Sequence, residues 1–189
     1  MLVFSLCVFR VCFSLMLQPK SDWYWFSENS QLMLSMGEQW QCTTAYGQKQ
    51  IIDLPKTHQL FSLSDTECYL SLSSHLIDSG GEISEAKLTH ILINATAAIM
   101  FHKPVFPKSW FLDEIESFGY HHRLARISNK FNSGIVLVLT DEHSLATCML
   151  ISSRLQLNDN KYLRQFDLIK LAETRLEPLS VITSSQLTA

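Results

Sequence analysis

At 189 residues, with 47% hydrophobic and 17% charged residues, the chain can bury a core of one or two small domains and is not a disordered polymer. A formal net charge of −3 and an isoelectric point near 6.1 exclude a globally basic nucleic-acid binder, so any cationic site must be local. Five cysteines, an odd number, fit a reducing compartment better than a disulfide framework.

The opening run "MLVFSLCVFRVCFSL" is apolar, yet Arg10 interrupts it, no basic side chain precedes it and no small-residue cleavage site follows. It is also shorter than the ~20 apolar residues of a spanning helix. Residues 1–15 are therefore expected to be upstream extension from a misplaced start, with Met16 as the natural first residue; a short anchor is the rival reading. Removing them takes away Arg10 and moves the charge to −4.

"DWYWF" and "QLMLSM" read as two strands of a hairpin joined through Ser27–Ser30. Trp23 and Trp25 share one face, and Leu32, Leu34 and Met36 alternate with more polar neighbours. A third strand is expected around Gln39–Ala45, then irregular chain from Gln48 to Asp65. "ECYLSLS" is expected to be a further strand, with Cys68, Leu70 and Leu72 on one face. Core packing accounts for most of these aromatics, but Trp at a sheet edge also lines pockets, which makes the surroundings of Trp25 and Leu34 a candidate surface.

After Gly80-Gly81, Ser84 is placed to cap a helix with Glu85 in its first turn. Leu88, Ile91, Leu92, Ala95, Ala98 and Ile99 form its apolar stripe, and Pro104 ends it. The first half is thus expected to be an α/β (α+β) domain, one long helix on a small sheet, spanning 16–107.

"KPVFPKSW", Lys103 to Trp110, follows at once. Pro104 and Pro107 stiffen it, and Lys103 and Lys108 make it locally cationic. One reading is a rigid connector with Phe106 and Trp110 tucked into two cores. The other is a rigid strip that displays Lys103 and Lys108 as a local positive site on an acidic protein.

Beyond Trp110 the texture is β. "WFLDEI", "HRLARIS", "GIVLVLTD" and "LATCMLIS" are expected strands, the third apolar on both faces and therefore central. "QLNDNKYLRQFDLIKLAETRLEPL" fits either a helix or a strand. Short strands at this spacing suggest an all-β, barrel-like domain over 108–178, followed by a flexible tail from 179 to 189.

Chemistry-bearing constellations are sparse. His121 and His122 are adjacent, so in a strand they point apart. No C-x-x-C, H-x-x-x-H or phosphate-cradling glycine loop occurs. No catalytic residue, metal or cofactor is assigned. A small thiol- or His-dependent enzyme of unknown substrate, such as one using Cys68 with His75 or His90, is the alternative of another class.

In order and spacing, "DWYWF", "QLMLSM", "AKLTHILINATAAIMFHKP", "FPKSW" and "FDLIKLAETRLEP" resemble the ZapC family of Z-ring-associated cell-division proteins, over roughly residues 16–180. The resemblance begins at Met16. It implies a non-enzymatic, two-domain cytosolic protein recruited to mid-cell, with an α/β first domain and a barrel-like second. It further implies direct binding to the tubulin-like GTPase FtsZ, lateral bundling of its filaments and lowered GTP turnover. With it, Lys103 and Lys108 are the expected salt-sensitive contacts with the acidic filament and Phe106 and Trp110 the anchors beside them; the motif carries over directly to Lys103, Lys108 and Trp110 and less closely to Val105 and Phe106. The absence of coiled-coil heptads points to a monomer, with neither nucleic acid nor membrane as partner.

Overall fold

A computed structural model describes residues 17–179. The expectations about residues 1–15 and about most of the 179–189 tail lie outside that range. Among the described residues the architecture is mixed α+β, with two α-helices and three antiparallel sheets.

Strands β1 (Trp23–Glu28), β2 (Gln31–Met36), β3 (Gln41–Gly47) and β4 (Gln59–Leu60) form the first sheet in the order β3-β2-β1-β4. The β1–β2 hairpin turns on Asn29 and Ser30, both left-handed (φ 50° and 62°), which matches the natural twist of a two-residue hairpin. Its register sets Trp25 opposite Leu34 and Trp23 opposite Met36. Period-two alternation then puts Trp23, Trp25, Leu32 and Leu34 inside the core, with Tyr24 and Phe26 half-exposed on the other face.

The segment expected to be a strand at "ECYLSLS" lies within helix α1 (Leu63–Asp78). Two features outweigh the short alternation. Ser62 and Asp65 form a reciprocal capping box: the Asp65 amide donates to Ser62 Oγ (3.1 Å), and the Ser62 amide donates to Asp65 Oδ2 (2.7 Å). Over the full length, Asp65, Tyr69, Leu72 and Leu76 recur at helical spacing on the buried side, whereas Leu70 faces solvent.

Helix α2 (Glu85–Phe101) runs as expected from Ser84 to the approach of Pro104, although the Ser84 side chain makes no capping bond. Every residue from Ile91 to Ala98 is buried, so α2 is a central helix rather than a surface helix with one apolar stripe. Buried Asn94 uses both ends of its carboxamide: Oδ1 accepts from the Ala45 amide on edge strand β3 (2.7 Å), and Nδ2 donates to the His90 carbonyl (2.9 Å).

The second half holds β5 (Leu124–Ser128), β6 (Ser133–Glu142), β7 (Leu145–Leu150), β8 (Arg154–Asn158), β9 (Lys161–Arg164), β10 (Leu168–Ala172) and β11 (Glu177–Pro178). Five of them make an open sheet in the order β10-β7-β6-β5-β11, and β8–β9 is a separate two-stranded hairpin. Among the described residues these ladders do not close into a barrel. "WFLDEI" is not a strand. A 3-10 turn covers Ser109–Phe111, and the chain beyond it bonds irregularly, Asp113 to Ser128 and Ile115 to Thr174, while Leu112 plugs the core. The ambiguous tail segment is strand at Leu168–Ala172.

Central strand β6 is apolar on both sides because both sides are roofed. Ile135, Leu137 and Leu139 join Trp25, Leu34, Tyr46, Ile91 and Ile93 in a core shared with the first half. Val136 and Val138 pack with Leu155, Leu157 and Leu163 of the hairpin in a second core. Gly134 permits that approach, since a Cβ there would sit 3.0 Å from Leu150 Cδ1 and 3.5 Å from Leu155 Cδ1. Across the shared core, the Tyr46 hydroxyl donates to the Phe166 carbonyl (2.8 Å), joining residues 120 positions apart.

Candidate functional site

The segment from Lys103 to Trp110 is a strap held at both ends. At the first end the Lys103 amide donates to the Gln50 carbonyl (2.8 Å), beside a bridge between Ile51 and His102. At the second, Pro107 pairs in parallel with Lys170, the Lys108 amide donates to the Lys170 carbonyl (2.8 Å), and Ser109 Oγ accepts from the Ala172 amide (2.7 Å). Prolines suit this use, because an extended strap with few amides needs few partners.

The strap does not tuck its aromatics away. Phe106 is 83% exposed and Trp110 71% exposed. Large apolar surfaces held open on a pinned backbone cost hydration but little further ordering entropy on binding. Lys103 is exposed and Lys108 half-buried. Lys103 Nζ donates to the Lys49 carbonyl (3.0 Å), which orients the ammonium without neutralising it. Neither lysine has a carboxylate within 4.0 Å among the described residues, whose ion pairs Arg126–Glu177 and Arg175–Glu114 lie elsewhere.

Clefts flank the strap. One, of about 540 Å³, is lined by Phe106 and Lys108 of the strap, by Lys161 and Tyr162 of the hairpin, and by Asp167. The other, of about 160 Å³, gathers Lys103 and Lys170 against Ile99 and Val105. Trp110 leans on Phe111 (5.7 Å between centroids) over a groove that also contains Lys130 and Phe131. The strap thus brings together four of the residues singled out in the sequence: Lys103, Phe106, Lys108 and Trp110.

Trp25 and Leu34 are not part of any such surface. Both are 0% exposed, sealed beneath the first sheet, and Trp25 packs edge-on to Phe101 at 5.3 Å. The cavity near the first strands, about 410 Å³, is lined instead by Leu17, Met36, Trp40, Cys42, Thr89 and Ile93. Alternation identified the shared face correctly but not that helices cover it.

The residues missed by sequence reasoning are Arg154, Lys161, Tyr162 and Arg164 of β8–β9. Their signal was the alternation of Leu155, Leu157 and Leu163 with polar residues, which turns the charges outward once the segment is read as a hairpin.

None of the three described thiols is shifted toward the thiolate on balance. Burial pushes Cys42 up to about 11 and raises Cys68 and Cys148 as well. Burial lowers His90, whose ring stands edge-on to Phe166, and so favours its neutral form. Among the described residues no group of three or more His, Cys, Asp or Glu is arranged to hold a metal ion, and no helix is long and apolar enough to cross a membrane.

Known sequences match this chain along most of its length. The cell division protein ZapC of Pseudoalteromonas atlantica is 38% identical over 170 residues, covering 88% of this chain and 96% of its own length. That of Shewanella woodyi is 34% identical over 171 residues, covering 88% and 94%. That of Aliivibrio salmonicida is 28% identical over 176 residues, covering 90% and 97%. The model of the ZapC N-terminal region matches residues 16–103 and that of the C-terminal region residues 104–181, the division falling within the strap, and the chain therefore belongs to the ZapC family of cell-division proteins.

Proposed function

We propose that this protein is a non-enzymatic accessory factor of the division ring that binds FtsZ filaments through the strap, promotes their lateral association and lowers their GTP turnover. The observation that carries this reading is the pairing of two cations with no carboxylate within 4.0 Å among the described residues, Lys103 and Lys108, with two widely exposed aromatic rings, Phe106 and Trp110, on a backbone fixed at both ends. FtsZ-type polymers are acidic. A cationic rib on a protein of net charge −3 supplies complementarity that the overall charge does not, and the exposed rings supply apolar anchors between the cations.

In this reading the protein is a cytoplasmic monomer that gathers at mid-cell by binding the polymer. Bundling needs two contacts per molecule, which the two halves supply on separate surfaces. Turnover falls because lateral contacts favour the filament conformation of each subunit, a population shift rather than blockade of the nucleotide site. Membership of a cell-division family supports the reading, as does the shift of the three described thiols away from the thiolate.

The test is co-sedimentation of purified protein with FtsZ polymers from the same species, with and without GTP. Wild type pellets with polymer and releases as salt rises, whereas Lys103→Asp and Lys108→Asp stay in the supernatant at low salt. Undiminished pelleting of both variants refutes the strap as the contact.

A further inference from the structure

The β8–β9 hairpin carries a feature that its own folding does not call for. Its register sets Arg154 directly opposite Arg164, and Gln156 opposite Tyr162, so both guanidiniums and the phenol project from one face while Leu155 and Leu163 project into the core. Like charges directly across an antiparallel pair repel. No carboxylate lies within 4.0 Å of either guanidinium among the described residues. Asp167, the nearest acid in the turn that follows, has Oδ2 bound to the Arg164 amide (2.8 Å).

Both guanidiniums lean instead on the ring between them. Arg154 stands 4.0 Å and Arg164 5.5 Å from the centroid of Tyr162, and Arg164 Nη2 donates to the phenol oxygen (3.3 Å). This holds two planar forks in place, each with further N–H groups to donate. The same electrostatics lower the Tyr162 pKa, the hydrogen bond from Arg164 first.

We propose that the outer face of β8–β9 is a carboxylate clamp, in which Arg154 and Arg164 receive an Asp or Glu side chain from an acidic partner protein beside the ring of Tyr162. A carboxylate between two guanidiniums relieves their repulsion and gains paired charge-assisted hydrogen bonds. Single-stranded nucleic acid fits less well. It needs an open aromatic face, and the hairpin's own ring, Tyr162, is overlaid by the two arginines. Tyr162, the ring of the clamp, also lines the cleft with Lys161, Phe106 and Lys108, which sets the clamp beside the strap. Assigning its carboxylate to an FtsZ filament rests on the function proposed above; the clamp chemistry does not.

The experiment uses two probes on the full chain, FtsZ filaments in co-sedimentation and fluorescein-labelled hexaglutamate in anisotropy at low salt, with labelled oligothymidylate as a control in the same anisotropy assay. The variants are Arg154→Gln/Arg164→Gln and Arg154→Lys/Arg164→Lys, both on the solvent face, with circular dichroism to verify the fold. The glutamine pair is expected to weaken both probes at least tenfold, about 1.4 kcal/mol, and the lysine pair to recover only part of the loss because an ammonium cannot bind bidentately. Hexaglutamate binding that depends on the arginines, with no wild-type binding to filaments, supports the clamp and sinks the filament reading. Filament binding unchanged in the glutamine pair, together with unchanged hexaglutamate binding, overturns the clamp and leaves the strap reading standing. Tighter wild-type binding of labelled oligothymidylate than of hexaglutamate also overturns it.

Discussion

Tyr46→Phe removes one hydroxyl that links the two halves, bonded to the Phe166 carbonyl and also 3.4 Å from Met149 Sδ. The substitution keeps the ring, which is wholly buried and edge-on to His102 at 5.2 Å, and removes only the hydroxyl that donates to the Phe166 carbonyl at 2.8 Å. No cavity larger than an oxygen atom opens, so the cost is the lost bond plus a buried carbonyl deprived of this donor, about 1–3 kcal/mol. For a chain of this size each kcal/mol moves the melting midpoint by roughly 2–4 °C, so a loss near ~2 kcal/mol lowers Tm by about 4–8 °C. Because the bond spans the shared core, the whole molecule should still melt in one transition, followed by far-ultraviolet circular dichroism and by tryptophan fluorescence. A midpoint within about 1 °C of wild type would refute the claim that the bond bears on stability. Non-coincident transitions in the wild-type protein would refute the single cooperative unit.

Gly134→Val should destabilise by about 1–3 kcal/mol, because the new side chain collides with Leu150 and Leu155 where the hairpin meets the sheet; urea unfolding measures it, and an unchanged midpoint contradicts the close approach. Stability should also fall in alkali. Burial raises Cys42 to about 11 and Tyr69 to about 12, and pushes Tyr46 and Cys148 up too, whereas the unfolded chain releases those protons near ~8.5 for thiols and ~10 for phenols. The folded state then holds more protons than the unfolded one above about pH 8.5. The contribution is complete below that pH and is lost as pH rises toward 12, so thermal midpoints at pH 7, 9 and 10.5 should descend in that order. A flat series would mean that these groups are not buried.

The parts of the fold legible in the sequence were those with a long or strongly punctuated pattern. The β1–β2 hairpin declared itself by alternation on either side of Asn29-Ser30, α2 by an extended 3–4 spacing closed by Pro104, and β6 by apolarity on both faces. Helix α1 was misread because seven residues, Glu67–Ser73, alternate by chance, and because the box at Ser62–Asp65 uses Asp where Glu or Gln is the usual signal. The site was half legible. Composition marked the strap as stiff, cationic and aromatic, but whether its rings point in or out depends on bonds to Gln50, Lys170 and Ala172 that no local pattern encodes. Trp25 and Leu34 failed for the converse reason: alternation says which residues share a side, not what lies over that side.

The roofing of β6 bears on how the gene can be cut. The two regions recognised as sequence units meet between residues 103 and 104, yet a fragment starting at 104 would bare Leu124, Ile135, Leu137, Met149 and Ile151 to water, and its counterpart would lose the lid over Tyr46 and Ile91. Heredity can treat the halves as separate words. Physically they are one sentence, and shears placed at that junction would yield two sticky pieces rather than two working ones.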